Sequence, residues 1–283
     1  MTEQEKFMYE ILGEISNSNI PIVFKGGLIT RLILNEKGIK VNRATKDVDA
    51  NWIGEPPTME YLVNSLNKGF GKLQKSYKAV ASRNYGEKRS AGVNILDKNT
   101  GRKIITMDID IKPLIESKTY YYEETKIKGV LPSEILADKI CVLSSDSIYK
   151  NRAKDIIDVF LLSQAVEINS KELLDICRKA DRTIKSFDAF FNKTSEMEHA
   201  YNKLKGIEGK PEFKIVYQYL NNFIKPFTQK PIPNKQWNNE TLSWNDVNRV
   251  RTPLSKSQLI NNAKIISQNR NAKQFNKNRN KER

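Results

Sequence analysis

Two segments of this chain alternate apolar and acidic residues with a period of two. In DVDANW (47–52), Asp47, Asp49 and Asn51 fall on one side and Val48, Ala50 and Trp52 on the other. In RKIITMDIDIK (102–112), Asp108 and Asp110 oppose Met107, Ile109 and Ile111. That period is the signature of a β-strand buried on one face. Each strand therefore projects a pair of carboxylates from its polar face. Like charges side by side repel, so the acids need a cation, an arginine or protonation. For one Asp-x-Asp alone, a solvated strand face, or pairing with Arg43 and Lys46, answers the need. Two such pairs on one sheet favour divalent ions, which prefer carboxylate oxygens together with substrate phosphate.

Other segments sort around these strands. Phe7, Met8, Ile11, Leu12 and Ile15 recur at helical spacing, giving an amphipathic helix over 3–16. PIVF (21–24) reads as a short strand, broken by KGG (25–27) and followed by a helix over 28–34. A helix over 58–69 ends on Gly69 as C-cap. YKAVAS (77–82) and AGVNILD (91–97) are strand-like, and the turn DKNTG (97–101) joins the latter to 102–112 as a hairpin.

From Leu131 the pattern becomes helical: LPSEILADKICVL, with Pro132 and Ser133 at its N-terminal cap, then NRAKDIIDVFLLSQA, SKELLDICRKA and KIVYQYLNNFI. The expected fold class is α+β: a mixed β-sheet core flanked by helices over 1–130, a helical region over 131–225, and a linker with a basic low-complexity tail over 226–283. The linker assignment rests on the Pro- and Asn-rich run after Ile224, and the tail reads as disordered.

Composition narrows the chemistry. One histidine (His199, in the polar stretch SEMEHA) and two cysteines without metal-site spacing exclude zinc and histidine-based catalysis as expectations. Cys141 and Cys177 have apolar neighbours at helical spacing and read as buried thiols of a reducing compartment. No secretory signal or membrane-length apolar run is seen, so the expected setting is the cytoplasm. The net charge is +15, and from Val247 onward there are ten Lys or Arg against the single acid Glu282. A basic tail suits a polyanion such as nucleic acid, or serves as a solvated, solubilising end.

Gly26 and Gly27 stand where a strand meets a helix, which by itself is either an ordinary turn or a place where backbone N–H groups approach phosphate. Together, VFKGGLITRLIL, RATKDVDANW and IITMDIDI resemble the nucleotidyltransferase pattern of the DNA polymerase β-like superfamily. The later blocks LPSEILADKICVL and NRAKDIIDVFLL resemble its AbiEii-type branch, the nucleotidyltransferase toxins of bacterial toxin–antitoxin systems. The resemblance spans roughly residues 20 to 165 in four ordered blocks. Leu28 stands where the superfamily usually has a small hydroxyl residue, with Thr30 two positions on, and the stretch from Gly27 to Asp47 is longer than in compact members.

The resemblance implies an enzyme that moves an NMP from an NTP substrate to an acceptor and releases pyrophosphate. Magnesium or manganese would be held by Asp47, Asp49 and either Asp108 or Asp110. Gly26, Gly27, Thr30, Arg31 and Arg152 would bind nucleotide, and Lys139 and Asp155 would join Asp47, Asp49 and Asp108 in catalysis. It implies an RNA acceptor, a tRNA 3′ end among the options, and an antitoxin protein as partner. Read without the resemblance, Arg152 with Asp155 (i, i+3) and Lys154 with Asp158 (i, i+4) are ordinary surface pairs. Two other functions fit the same residues: a non-catalytic nucleic-acid-binding module, and a kinase-like member of the same fold.

Overall fold

The computed structural model describes residues 3–39, 47–84, 90–112, 116–146, 152–207 and 209–247. Arg43 and Lys46, and the basic tail beyond Val247, lie outside the described residues.

The chain opens with α1 (Glu3–Asn17), β1 (Ile22–Lys25), α2 (Gly26–Glu36), β2 (Asp47–Ile53) and α3 (Met59–Gly69). Strands β3 (Tyr77–Arg83), β4 (Ser90–Asp97), β5 (Lys103–Lys112), β6 (Ser117–Tyr122) and β7 (Thr125–Val130) follow. With β1 and β2 they form a seven-stranded mixed sheet in the order β3-β4-β5-β2-β1-β7-β6. The expected hairpin is β4 against β5, antiparallel, and its turn is set by Asp97, whose Oδ1 accepts from the backbone N–H of Asn99 and Thr100. β2 lies parallel to β5 and antiparallel to β1. The two acidic strands are thus direct neighbours.

Helix α3 reaches the apolar face of β2 through one ring contact. Thr58 caps that helix, accepting from the Tyr61 N–H, and Tyr61 meets Trp52 edge to face with ring centroids 6.1 Å apart. The carboxylates of β2 and β5 consequently point to the opposite face; α2 contacts β1 and β2 and also two further helices, α4 (Pro132–Leu143) and α5 (Ala153–Ala165). Gly69 does not cap α3: the helix closes on Phe70 in right-handed geometry. The glycine is there for packing, because a Cβ would strike the side chains of Ile20 and Ser18. Similarly, Leu131 caps α4, and Pro132 takes the first helical position, where its missing N–H costs no hydrogen bond.

After α5 come β8 (Ile168–Asn169), α6 (Ser170–Lys179), α7 (Asp188–Asn192), α8 (Thr194–Asn202) and α9 (Phe213–Ile224). His199 lies exposed on α8. Cys177 is buried and Cys141 half-buried; both are free thiols, their sulfurs 3.4 Å apart between α6 and α4.

Residues 226–246 are not a linker. They form a short 3-10 turn and two strands, β9 (Lys235–Asn238) and β10 (Ser243–Asp246), which join β8 in a three-stranded sheet. Aromatic burial explains the difference. Trp237 is fully buried among Tyr219, Phe223 and Trp244, and its indole N–H donates to the Ser163 carbonyl at 2.7 Å. Residues 1–246 cluster as one compact unit. No described helix is long and apolar enough to cross a membrane.

Candidate active site

Helix α2 begins at Gly26, directly after the extended Lys25. Gly26 has φ +70°, left-handed geometry that a side chain resists. A Cβ there would also overlap the carboxylate of Asp49. The diglycine turn and the second acid of β2 are therefore in direct contact, and glycine is required on two separate counts.

Strand register decides the rest. Lys25 of β1 and Asp108 of β5 sit directly across from Asp49 on its two sides. Asp110 lies across from Asn51. Lys25 Nζ reaches Asp110 at 2.5 Å, and Arg83 on β3 reaches Asp108 at 2.8 Å. Burial favours the neutral form of Asp110, but the ammonium of Lys25 outweighs it and holds this carboxyl below the usual carboxylate range. Burial pushes the Asp49 carboxyl up, with the Asp108 charge adding to the rise, and Lys25 and Lys154 only partly oppose it. Asp47, at the start of β2, is exposed.

A cavity of about 310 Å³ opens beside this turn. Lys25, Gly26, Gly27, Asp49 and Asn51 line it from the sheet side; Glu134, Asp138 and Lys139 of α4, and Arg152, Lys154, Asp155 and Asp158 at α5, line it from the helical side. Lys112, Lys179 and Arg182 complete a lining in which seven basic side chains face five acids. That balance suits a polyanion.

Between α4 and α5 a charged triad is buried. Lys139 Nζ donates to Asp155 Oδ1 at 2.6 Å and to Asp158 Oδ2 at 2.7 Å. Burial alone would depress the lysine, yet Asp158 and Asp155 hold its pKa up at about 12. Asp158 is 2% exposed, so its role as the surface partner of Lys154 gives way to this buried pair. Arg152 does approach Asp155, at 3.8 Å, as the i, i+3 spacing suggests.

The structure thus brings Gly26, Gly27, Asp49, Lys139, Arg152 and Asp155 to one cavity. It does not bring Thr30 or Arg31. Thr30 is buried and donates back to the Gly26 carbonyl; Arg31 is bound to Glu5 of α1 at 2.7 Å. Both lie beyond the first turn of α2, outside the cavity lining. Asp108 and Asp110 flank Asp49 but are held by Arg83 and Lys25, outside the cavity lining. Charged lining residues that the sequence alone did not mark include Lys25, Lys112, Glu134, Asp138, Lys179 and Arg182. Lys25 had a local signal, since it immediately precedes the glycines. Arg182, which pairs with Asp138 across 44 residues, had none.

Comparison with known proteins bears on this arrangement. The family described as "Nucleotidyl transferase AbiEii toxin, Type IV TA system" matches residues 10–242. The chain belongs to this family. It is accordingly a nucleotidyltransferase of the AbiEii toxin family, built on a mixed α+β fold. Among solved structures, MenT4, a nucleotidyltransferase toxin of Mycobacterium tuberculosis, is similar at 13% identity and a TM-score of 0.46, over 76% of this chain and 79% of that one. An antigenic nucleotidyltransferase-like protein from Paracoccidioides brasiliensis is similar at 18% identity and a TM-score of 0.42, over 68% and 98%. ANT(2")-Ia, in complex with adenylyl-2"-tobramycin, is similar at 14% identity and a TM-score of 0.41, over 64% and 97%. No curated protein matches the chain.

Proposed function

We propose that this AbiEii-family chain is a divalent-metal-dependent enzyme that transfers an NMP from an NTP to the 3′ end of an RNA, with tRNA as the foremost acceptor, and that it is restrained by a cognate antitoxin in the cytoplasm. The observation that carries the nucleotide reading is the contact between Gly26 and Asp49. It places a carboxylate against a helix N-terminus in a cavity whose lining holds seven basic side chains against five acids.

The donor chemistry fits a hard divalent ion. Asp49 is a half-buried acid whose carboxyl is raised, and Asp108 lies one strand away on the same face. Among the described residues no three acids already stand together as a ready metal cluster, because Arg83 and Lys25 hold Asp108 and Asp110. Asp49, with Asp47 and one of those two acids, would hold the ion; its position across from Asp49 favours Asp108 over Asp110. When bound, such an ion supplies charge neutralisation for the triphosphate and the attacking oxygen.

The chain's own residues do the remainder. Backbone N–H groups at Gly26 and Gly27 cradle the β- and γ-phosphates at the start of α2. The acceptor hydroxyl oxygen bonds to the α-phosphorus, the bond from that phosphorus to the bridging oxygen of the β-phosphate breaks, pyrophosphate departs, and the hydroxyl proton passes to solvent. Lys139 is engaged by two carboxylates, so the charge developing on pyrophosphate falls to the more exposed Arg152 and Lys154. Positioning and charge compensation supply most of the barrier reduction in phosphoryl chemistry of this kind. The net charge of +15, densest in the tail, favours RNA as acceptor.

The test is incubation with magnesium, total RNA and each NTP labelled at the α-phosphate, followed by a denaturing gel. Label should enter an RNA band of tRNA size, and Asp49→Asn should abolish the transfer while the variant stays folded. Transfer of label from the γ-phosphate instead would show a kinase, and undiminished labelling by Asp49→Asn would end the assignment. Removing residues after 250 should weaken RNA binding and flatten its dependence on salt; an unchanged slope would make the tail a solubilising end.

A further inference from the structure

Asn51 is buried to 1% exposure and lines the cavity, and its side-chain oxygen has no hydrogen-bond partner among the described residues. A buried amide oxygen left without a donor is costly, and nothing in strand geometry demands an asparagine there. Its cross-strand neighbours on the same face are Val23 of β1 and Asp110 of β5, and neither side chain offers a donor. The polar side chain therefore serves something that enters the cavity.

The partner must be a hydrogen-bond donor. A triphosphate at neutral pH offers essentially acceptors, so it cannot satisfy this oxygen. The phosphate-binding features, Lys25, Gly26 and Asp49, sit one pleat step away. Asn51 follows Asp49 on the same strand face, about 7 Å further along. That step leads from a phosphate beside Asp49 to the sugar attached to it.

Resting on the nucleotide reading above, we infer that Asn51 accepts a hydrogen bond from a ribose hydroxyl of the bound nucleotide and thereby selects ribonucleotides over those lacking that hydroxyl.

The experiment is calorimetric titration of the full-length protein, in magnesium, with each of the four ribonucleoside triphosphates and with the 2′-deoxy, 3′-deoxy and 2′,3′-dideoxy forms of the one that binds. Asn51→Leu replaces the amide with an apolar side chain of similar size, and Asn51→Ala removes it without any steric demand. Wild type should prefer the ribonucleotide over the dideoxy form by roughly tenfold, the worth of one such hydrogen bond. Both variants should bind ribo and dideoxy forms alike, at the wild-type dideoxy level. The monodeoxy arms identify which hydroxyl is read. Thermal unfolding without nucleotide supplies a readout that a purely structural amide would move the other way: Asn51→Leu should melt at or above the wild-type temperature.

A variant that keeps the ribose preference, or loses ribo and dideoxy binding equally, overturns the inference. So does a fall in the melting temperature of both variants, which would show an amide needed for folding. If wild type binds dideoxy and ribonucleotides equally well, the inference fails while the nucleotide reading stands. If it binds neither, the nucleotide reading itself fails and this assignment with it.

Discussion

Replacing Lys139 with methionine would remove the cation from between two buried carboxylates while keeping the side chain's length. Asp155 and Asp158 are 4% and 2% exposed, and Lys139 is 9% exposed. The rise of the Lys139 pKa from 10.5 to about 12 corresponds to roughly 2 kcal/mol of charge interaction beyond its desolvation. Removing one partner of a buried ion pair generally costs about 3–5 kcal/mol, because an uncompensated charge stays behind. Here two carboxylates would remain side by side, with Arg152 still 3.8 Å from Asp155, so Lys139→Met should lose about 3–5 kcal/mol in urea unfolding at pH 8.

The loss should depend on pH, with a definite sign. Without the lysine, burial and mutual repulsion raise the folded-state pKa of at least one of these acids above its unfolded value. A group raised in this way contributes stability at low pH that disappears as pH rises through the folded pKa. The deficit should therefore shrink by more than about 1 kcal/mol between pH 8 and pH 5. Adding Asp158→Asn should recover a large part of it at pH 8. In wild type the Lys139 contribution should hold through neutral pH and be lost only as pH climbs toward 12. A deficit below about 1 kcal/mol, or one equal at both pH values, would refute the buried triad.

Gly26→Ala combines a left-handed backbone position with a Cβ aimed at Asp49, so it should lower the melting temperature and reduce NMP transfer by about 10² or more, measured with α-labelled NTP. Lys25→Met should destabilise the protein at pH 7. Because Lys25 holds Asp110 below its ordinary range, the wild-type advantage is present above the unfolded carboxylate pKa and should fade as pH falls below it, as followed by acid unfolding. Trp237→Ala should cost about 3–5 kcal/mol in chemical unfolding, which a dispensable linker would not.

Several features of the site were legible because they are local. Alternation in 47–52 and 104–111 is a property of neighbouring residues, and a strand can satisfy it in only one way: acids on one face, apolar groups on the other. Gly26 and Gly27 likewise announced a turn at the start of a helix. Hidden features depended on distant partners. The hairpin of β6 and β7 was passed over because Tyr120 is the one buried position of β6, and in β7 the buried Ile127, Gly129 and Val130 stand among lysines without a clean alternation. Residues 226–246 looked like a linker because Pro and Asn dominate their composition, whereas Trp237 and Trp244 find their aromatic partners on α9 and in each other.

The sequence by itself determined that carboxylates would line one side of two strands near a diglycine turn, since side-chain direction follows from backbone periodicity alone. Which cation meets which acid was decided only in three dimensions. Lys25 and Asp110 are 85 residues apart, and their pairing exists because β1, β2 and β5 stack in that order and register. Electrostatic partners act through space over a few ångströms, and no spacing along the chain encodes a distance set by the packing of the whole sheet.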